Sequence, residues 1–356
     1  MNSMNLSYDE DLKERIRLYF GNELFNYSNI NSNINKNIDM SLQIQNLLLS
    51  GKYRKFPITD EIREQLKQKV DYILLSDDPF IFVPSFGGYK HSWTPSYPYT
   101  DWAEVFSIIN FINYLKPLKY LTNKEIIVEY LSKDIIVPMM NNIPKNFVDR
   151  YISDFKKIIS LFNQKQNQIK FEIHSSHEDY DPDVLFRLID KNKESIIDKF
   201  NKLDLDEQEL KLKKAENNFC WNGIKNYTNI TEIEKRNIVM ESRIINETFL
   251  KIDSELRGGS TKGRKNAIPI LFRKGVGACG EICLNLCSCT SSTVAFWVGI
   301  GILEVRENKI IPRIISKSQY EVLKDKLIKI PVDIKELSTI NDNYKYIYIY
   351  PGKIEM

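Results

Sequence analysis

The chain lacks several features that would fix its role at once. No apolar run approaches the roughly 20 residues that span a bilayer. The opening residues, MNSMNLSYDEDLKER, are polar and lack the apolar core of a secretory signal. Excess charge is missing too: 50 Lys and Arg against 47 Asp and Glu leave a formal net charge of +3. Nucleic acid and anionic membrane surfaces call for a concentrated basic face, so neither is expected as a partner. Histidine is scarce, with 3 in 356 residues, which leaves few nitrogen ligands for zinc or iron. The 5 cysteines are odd in number and form no C-x-x-C pair, and Cys279, Cys283, Cys287 and Cys289 crowd together. A secreted disulfide framework would be spread more evenly. The expected setting is therefore a reducing cytoplasm with free thiols, and the crowded cysteines read as small buried hydrophobes before zinc ligands.

What is present describes a globular chain. Hydrophobic residues make up 42% and charged residues 27% of a length that fits one large domain or two ordinary ones. The Asn-, Ile- and Lys-rich stretch around residues 26–37 is a compositional bias with no function attached. Residues 5–20 and Ser41 to Ser50 read as helices, and Thr59 as the N-cap of a third that begins at Glu61. Residues 1–66 are thus expected to form an N-terminal helical extension, residues 67–215 an α/β Rossmann-like lobe, and residues 216–356 a C-terminal α+β lobe that completes the active site.

Strand and helix signals alternate from residue 80 onward. Phe80 to Val83 is a short apolar strand, and Asp101 opens the helix WAEVFSIINFINYLKPL, which Pro117 is expected to end. Asp101 and Glu104 have capping-box spacing. Glu125 to Tyr130 and Ile135 to Met139 read as strands about a Ser132-Lys133-Asp134 turn. A helix after Pro144, a strand over Ile169 to Ile173 and a helical zone over residues 183–215 follow. Beyond the helix Glu232 to Leu256, strands are expected at Ala267 to Phe272, Ile282 to Leu286, Val294 to Ile302 and Ile310 to Ile315, and in YKYIYIYPGKI. The fold class is α/β: a Rossmann-like sheet domain with a C-terminal, mostly antiparallel sheet portion. Such sheets bind ligands beyond the carboxyl ends of their strands.

The loop FVPSFGGYKHSWTPSYPYTDWAE leaves the first strand there. Its Gly87-Gly88 pair permits close backbone approach, and Lys90 can pair with a phosphate or form a Schiff base, or sit solvated in a turn. Asp101 and Glu104 can move protons or simply cap their helix. His174, His177, Glu178, Asp179 and Asp181 are the densest group of potential ligands, and equally a polar turn; a histidine here also suits acid/base work. The loop RGGSTKGRK, residues 257–265, has the composition of an anion-holding loop, to which Arg273 and Lys274 add positive charge. It is no P-loop, because Arg264-Lys265 stands where Lys-Ser/Thr is required.

Val83-Pro84-Ser85-Phe86, then Lys90, then Asp101-Trp102-Ala103-Glu104 form a pattern that resembles the isonitrile synthase family of pyoverdine and dityrosine biosynthesis, over about residues 70–325. Ser132-Lys133-Asp134 and FWVGIGILEVRENKIIPRIISKSQYE are similar to its mid-sheet turn and late strand pair. The chain departs from that pattern at His91-Ser92-Trp93, where the family has Ser-Pro-Asn, and near Arg273, where the family's nearby histidine is missing. The resemblance implies conversion of the amino group of an aromatic amino acid to an isonitrile, with the added carbon from ribulose 5-phosphate through an imine. It assigns acid/base and imine chemistry to Lys90, His91, Glu104 and His177. Anion contacts fall to Arg257, Arg264, Arg273 and Lys274, and a substrate slot to Trp93, Tyr97, Asp101 and Trp102. The expected partners are an amino acid, a sugar phosphate and a downstream oxygenase, with no metal and no cofactor. The alternatives are a metal-dependent enzyme centred on His174 and His177, and a non-catalytic small-molecule-binding or interaction protein.

Overall fold

Short apolar runs bounded by turn residues become the strands of a parallel sheet. They are β1 (Phe80–Pro84), β2 (Ile126–Ser132), β3 (Lys170–Ser175), β4 (Ala267–Leu271) and β5 (Ile282–Cys283) in a computed structural model. It describes residues 4–23, 39–50, 58–84, 86–175, 180–221, 230–257, 264–271, 282–283, 294–307, 309–332 and 334–354. The spatial order is β3-β2-β1-β4-β5, and every pair is parallel. The chain steps outward from β1 to β3 and then returns to the other side of β1. The order therefore reverses between β1 and β4, which is the Rossmann-like arrangement.

The helices are α1 (Met4–Glu23), α2 (Met40–Leu48), α3 (Asp60–Leu75), α4 (Trp102–Thr122), α5 (Val137–Asn141), α6 (Lys145–Lys165), α7 (Pro182–Asn201), α8 (Leu205–Glu216), α9 (Glu232–Arg257), α10 (Lys317–Leu323) and α11 (Lys335–Ser338). Thr59 caps α3 as its sequence predicts, accepting from the Ile62 amide. A second sheet holds β6 (Ile300–Arg306), β7 (Lys309–Ile315), β8 (Ile328–Pro331) and β9 (Tyr346–Pro351) in the order β7-β6-β9-β8. Its β6–β7 and β8–β9 pairs are antiparallel and its β6–β9 pair is parallel. Leu12 of α1, Leu48 of α2, Phe82, Phe106 and Ile349 belong to one apolar cluster.

Five elements depart from their sequence reading. The segments at 267 and 282 extend the parallel sheet instead of joining the antiparallel portion. Ala267, Ile268 and Ile270 are all buried, as a strand covered on both faces requires. Residues 135–139 form a turn and then α5. Pro138 suits the first turn of a helix and has no amide for a sheet ladder. Pro117 lies inside α4, which runs on to a left-handed Asn123 at φ 54°. Val105, Ile108, Phe111, Ile112, Leu115 and Leu118 bury successive faces of that helix, and this outweighs the ~3 kcal/mol penalty of an internal proline. Residues 296–298 are a turn, closed by the Val298 amide on the Ala295 carbonyl, so β6 starts only at Ile300.

Candidate active site

The chain leaves β1 through Phe86-Gly87-Gly88, and both glycines are demanded by what surrounds them. A Cβ on Gly87 would lie 2.4 Å from Nε1 of Trp297. Gly88 has φ +75°, and a Cβ there would lie 2.5 Å from Oγ of Ser132. This tight passage delivers Lys90 to the start of α4. Its Nζ is 3.1 and 3.2 Å from the two carboxylate oxygens of Glu104, 3.0 Å from Oδ2 of Asp101 and 3.2 Å from the Phe296 carbonyl. All three charged side chains are buried.

The same carboxylates build the helix start. Oδ1 of Asp101 accepts from the Ala103 amide at 2.7 Å and from the Gly301 amide at 3.4 Å; Oδ2 accepts from Oγ of Ser96 at 2.6 Å. Glu104 returns the bond by accepting from the Asp101 amide at 2.7 Å, which completes the capping box. The Tyr151 hydroxyl, from α6, donates to Oε1 of Glu104 at 3.0 Å, and the Tyr344 hydroxyl donates to the Asp101 carbonyl at 2.9 Å. One ammonium thus serves two carboxylates away from water. Burial raises the Glu104 pKa, the Lys90 ammonium lowers it and the Asp101 charge raises it again; the outcome is about 7. Glu104 therefore exchanges a proton at neutral pH. Burial, with the Glu104 charge beside it, pushes the Tyr151 hydroxyl well above its usual range and keeps it a donor.

The Lys90 ammonium has an acceptor in each of three directions and its side chain is 0% exposed. A Schiff base needs a neutral, accessible amine. In this arrangement Lys90 fastens the loop to α4. His91 comes next. Its amide donates to the Trp297 carbonyl, and its Nε2 lies 3.1 Å from the Asn217 carbonyl oxygen. A carbonyl only accepts, so Nε2 carries the proton and Nδ1 keeps a lone pair. Nδ1 is buried and has no partner among the described residues. Burial first, and the Lys317 charge after it, hold the His91 pKa below its usual value, which keeps the ring neutral.

The three aromatic residues assigned to a ring slot have different neighbours. Trp93 lies 6.1 Å from the Tyr320 ring, and Tyr97 meets Phe147 edge-on at 5.4 Å with its hydroxyl 4.0 Å from Sγ of the buried, free Cys220. Trp102 is a core residue, 4.8 Å from the Phe20 ring, with Nε1 donating to the Tyr346 carbonyl. The carboxyl end of β1 is instead packed by Phe86 against Phe155, Tyr130 and Phe296, with centroids 5.2, 5.4 and 5.8 Å away. Arg264 forks onto Glu129 at 3.0 and 2.6 Å. His174 is half exposed, 3.5 Å from Oε2 of Glu172. His177, Arg273, Lys274, the Arg257 side chain and the cysteine cluster's side chains lie outside the described residues. Among the described residues no group of three His, Cys, Asp or Glu side chains gathers as metal ligands, and no helix is long and apolar enough to cross a membrane.

Sequence reasoning missed Tyr151, Tyr344, Ser96 and Phe296. They reach the node from α6, from the turn before β9, from the same loop and from the turn before β6, and nothing local marks them. Fold and node together describe an α/β protein whose first strand-to-helix loop is ion-paired to the helix it enters. The crystal structure of the PvcA protein from Pseudomonas aeruginosa has a similar fold, with a TM-score of 0.61 at 11% sequence identity, covering 88% of this chain and 100% of that chain. At that identity the likeness is one of fold. No protein-family profile and no curated protein matches the chain.

Proposed function

We propose that the chain is a biosynthetic enzyme of the isonitrile-synthase-like type, acting on the amino group of an aromatic amino acid with a sugar phosphate such as ribulose 5-phosphate. One observation carries this reading. The sequence resembles that family through Lys90, Asp101 and Glu104, and the Lys90 ammonium lies 3.0–3.2 Å from carboxylate oxygens of both acids in a fold shared with PvcA. The first step would be condensation of the substrate amine with the sugar ketone: a C=N bond forms and water leaves. His91 is assigned the role of proton carrier, its ring fixed through Nε2 on the Asn217 carbonyl and its Nδ1 without a partner among the described residues. Lys90 and Asp101 hold the loop that carries His91, and Glu104, with its pKa raised to about 7, is assigned proton exchange. Arg257, Arg273 and Lys274 are assigned anion contacts, and His177 a second proton carrier. A cytoplasmic setting and a downstream oxygenase belong to the same proposal.

The test is incubation with each aromatic amino acid and ribulose 5-phosphate, with mass spectrometry for an isonitrile. Formation of the isonitrile is expected. No product with any of these amino acids would overturn the reading. His91→Asn should lower turnover by about a hundredfold or more while the unfolding transition stays in place; full turnover would remove His91 from the chemistry.

A further inference from the structure

Glu104 is buried, and every group bonded to its carboxylate is a hydrogen donor. Oε1 takes the Lys90 ammonium at 3.1 Å and the Tyr151 hydroxyl at 3.0 Å. Oε2 takes the same ammonium at 3.2 Å and the Asp101 amide at 2.7 Å. That set suits an ionised carboxylate, which only accepts. A protonated carboxyl group has an O–H of its own, and in a buried space that proton needs an acceptor. An ammonium and an amide N–H cannot accept. A phenol can, because its oxygen keeps lone pairs and its O–H rotates. Of the three groups bonded to Glu104, Tyr151 alone can receive its proton in a hydrogen bond.

The other groups that face the node are committed. Oδ1 of Asp101 accepts from the Ala103 and Gly301 amides, and Oδ2 from Oγ of Ser96, with the Lys90 ammonium 3.0 Å away. A carboxylate has about four lone-pair sites, and these four donors fill them. The Phe296 carbonyl receives the Lys90 ammonium at 3.2 Å. From the turn before β9, the Tyr344 hydroxyl gives its proton to the Asp101 carbonyl at 2.9 Å. Tyr151 is itself fully buried in α6, its ring 6.2 Å from those of Phe86 and Phe155, so bulk water does not reach the pair. Burial and the neighbouring Glu104 charge keep the phenol's own proton in place.

We propose that Tyr151 is the positioning residue for the Glu104 proton: its hydroxyl donates to the ionised carboxylate and turns to accept from the protonated carboxyl group. Tyr151 keeps its own proton in both states, so only the direction of the hydrogen bond changes. As a part of turnover this rests on the function proposed above; as a property of the node it does not. Infrared spectra of the full chain on either side of pH 7 test it. The Glu104 signal is the neutral-carboxyl band that Glu104→Gln lacks. In Tyr151→Phe, which removes one oxygen atom, that band should move to higher wavenumber, because the carboxyl O–H has lost its acceptor. Its titration midpoint should rise by roughly 0.5–1 in pH, because the bond lost from the ionised form is charge-assisted and the stronger of the two. A band that keeps its wavenumber, or a midpoint that stays in place, overturns the proposal. The wild type gives a second readout that needs no Tyr151 variant. Its tyrosine Raman doublet should change from the donor to the acceptor pattern as the pH falls through about 7, and Glu104→Gln should abolish the change. A doublet that does not respond to pH also overturns it. The two proposals fail separately. A shifted band in a chain that forms no isonitrile sinks the reaction and keeps the Tyr151–Glu104 exchange. Isonitrile formation with an unshifted band sinks the exchange and keeps the reaction.

Discussion

Lys90 brings an ammonium out of water, and only its acceptors offset that cost. Taking away the cation leaves Asp101 and Glu104 facing each other in a buried space. Lys90→Met should therefore destabilise the fold by about 3–5 kcal/mol, since an uncompensated buried charge costs more than the pair contributes. Chemical denaturation checks this; an unchanged midpoint would mean that the ammonium does not hold the loop. Glu104 gives the node a pH dependence opposite to that of an ordinary paired carboxylate. Its folded pKa, about 7, lies above the unfolded value of 4.5. Between those values the folded state keeps a proton that the unfolded state has released. The contribution of Glu104 is thus complete below about pH 4.5 and is lost as the pH rises through 7. At ~1.4 kcal/mol per pKa unit the loss is on the order of 3 kcal/mol. Measured as the difference between wild type and Glu104→Gln, stability should fall across that window; a flat difference curve would place the Glu104 proton elsewhere.

At the scale of elements, the start of α4 is the joint between the two sheets. Gly301 of β6 lies directly against it. A Cβ on Gly301 would stand 2.3 Å from the Ala103 amide nitrogen and 2.4 Å from the Trp102 carbonyl carbon, which are backbone atoms that cannot swing aside. The same residue's amide reaches Oδ1 of Asp101. Gly301→Ala should cost ~1–3 kcal/mol or more through overpacking and should weaken that bond. A variant with the wild-type melting temperature would show that β6 can slide away from α4 at no cost. This joint explains what the sequence could and could not convey. The capping box was legible because Asp101 and Glu104 are three residues apart. The burial of Trp102 was not, because its partners Phe20, Tyr344 and Tyr346 come from both ends of the chain. Pro117 and Pro138 mislead in opposite ways: the local proline rule fails at Pro117, where the burial of α4 decides, and holds at Pro138, where the apolar run reads as a strand against it.

At the scale of the whole molecule, the alternation of elements announced an α/β sheet, whereas its strand order depends on pairings between residues far apart. β4 joins β1 across more than 180 residues, so neither its partner nor its direction could be read locally. The second sheet has the same character. β9 is the last strand in the chain, yet it lies between β6 and β8. It pairs with β6 from Ile302 to Val305 and with β8 from Ile328 to Pro331, and it carries the buried Ile347 and Ile349. The turn before it supplies Tyr344 to the node, and Asn341 to Thr100 and Asp154. A chain ending at residue 340 would leave β8 without a neighbour, strip one edge of β6 and open two buried isoleucine sites worth ~2–5 kcal/mol each. That sum is comparable with the whole ~5–15 kcal/mol stability of a typical domain. The truncated chain should therefore lose its cooperative unfolding transition and its near-ultraviolet circular dichroism, and the loop at Lys90 should become open to proteolysis. If truncation kept the transition and spared that loop, the first sheet would be folding without the second, and the node would owe nothing to β9 or to the turn before it.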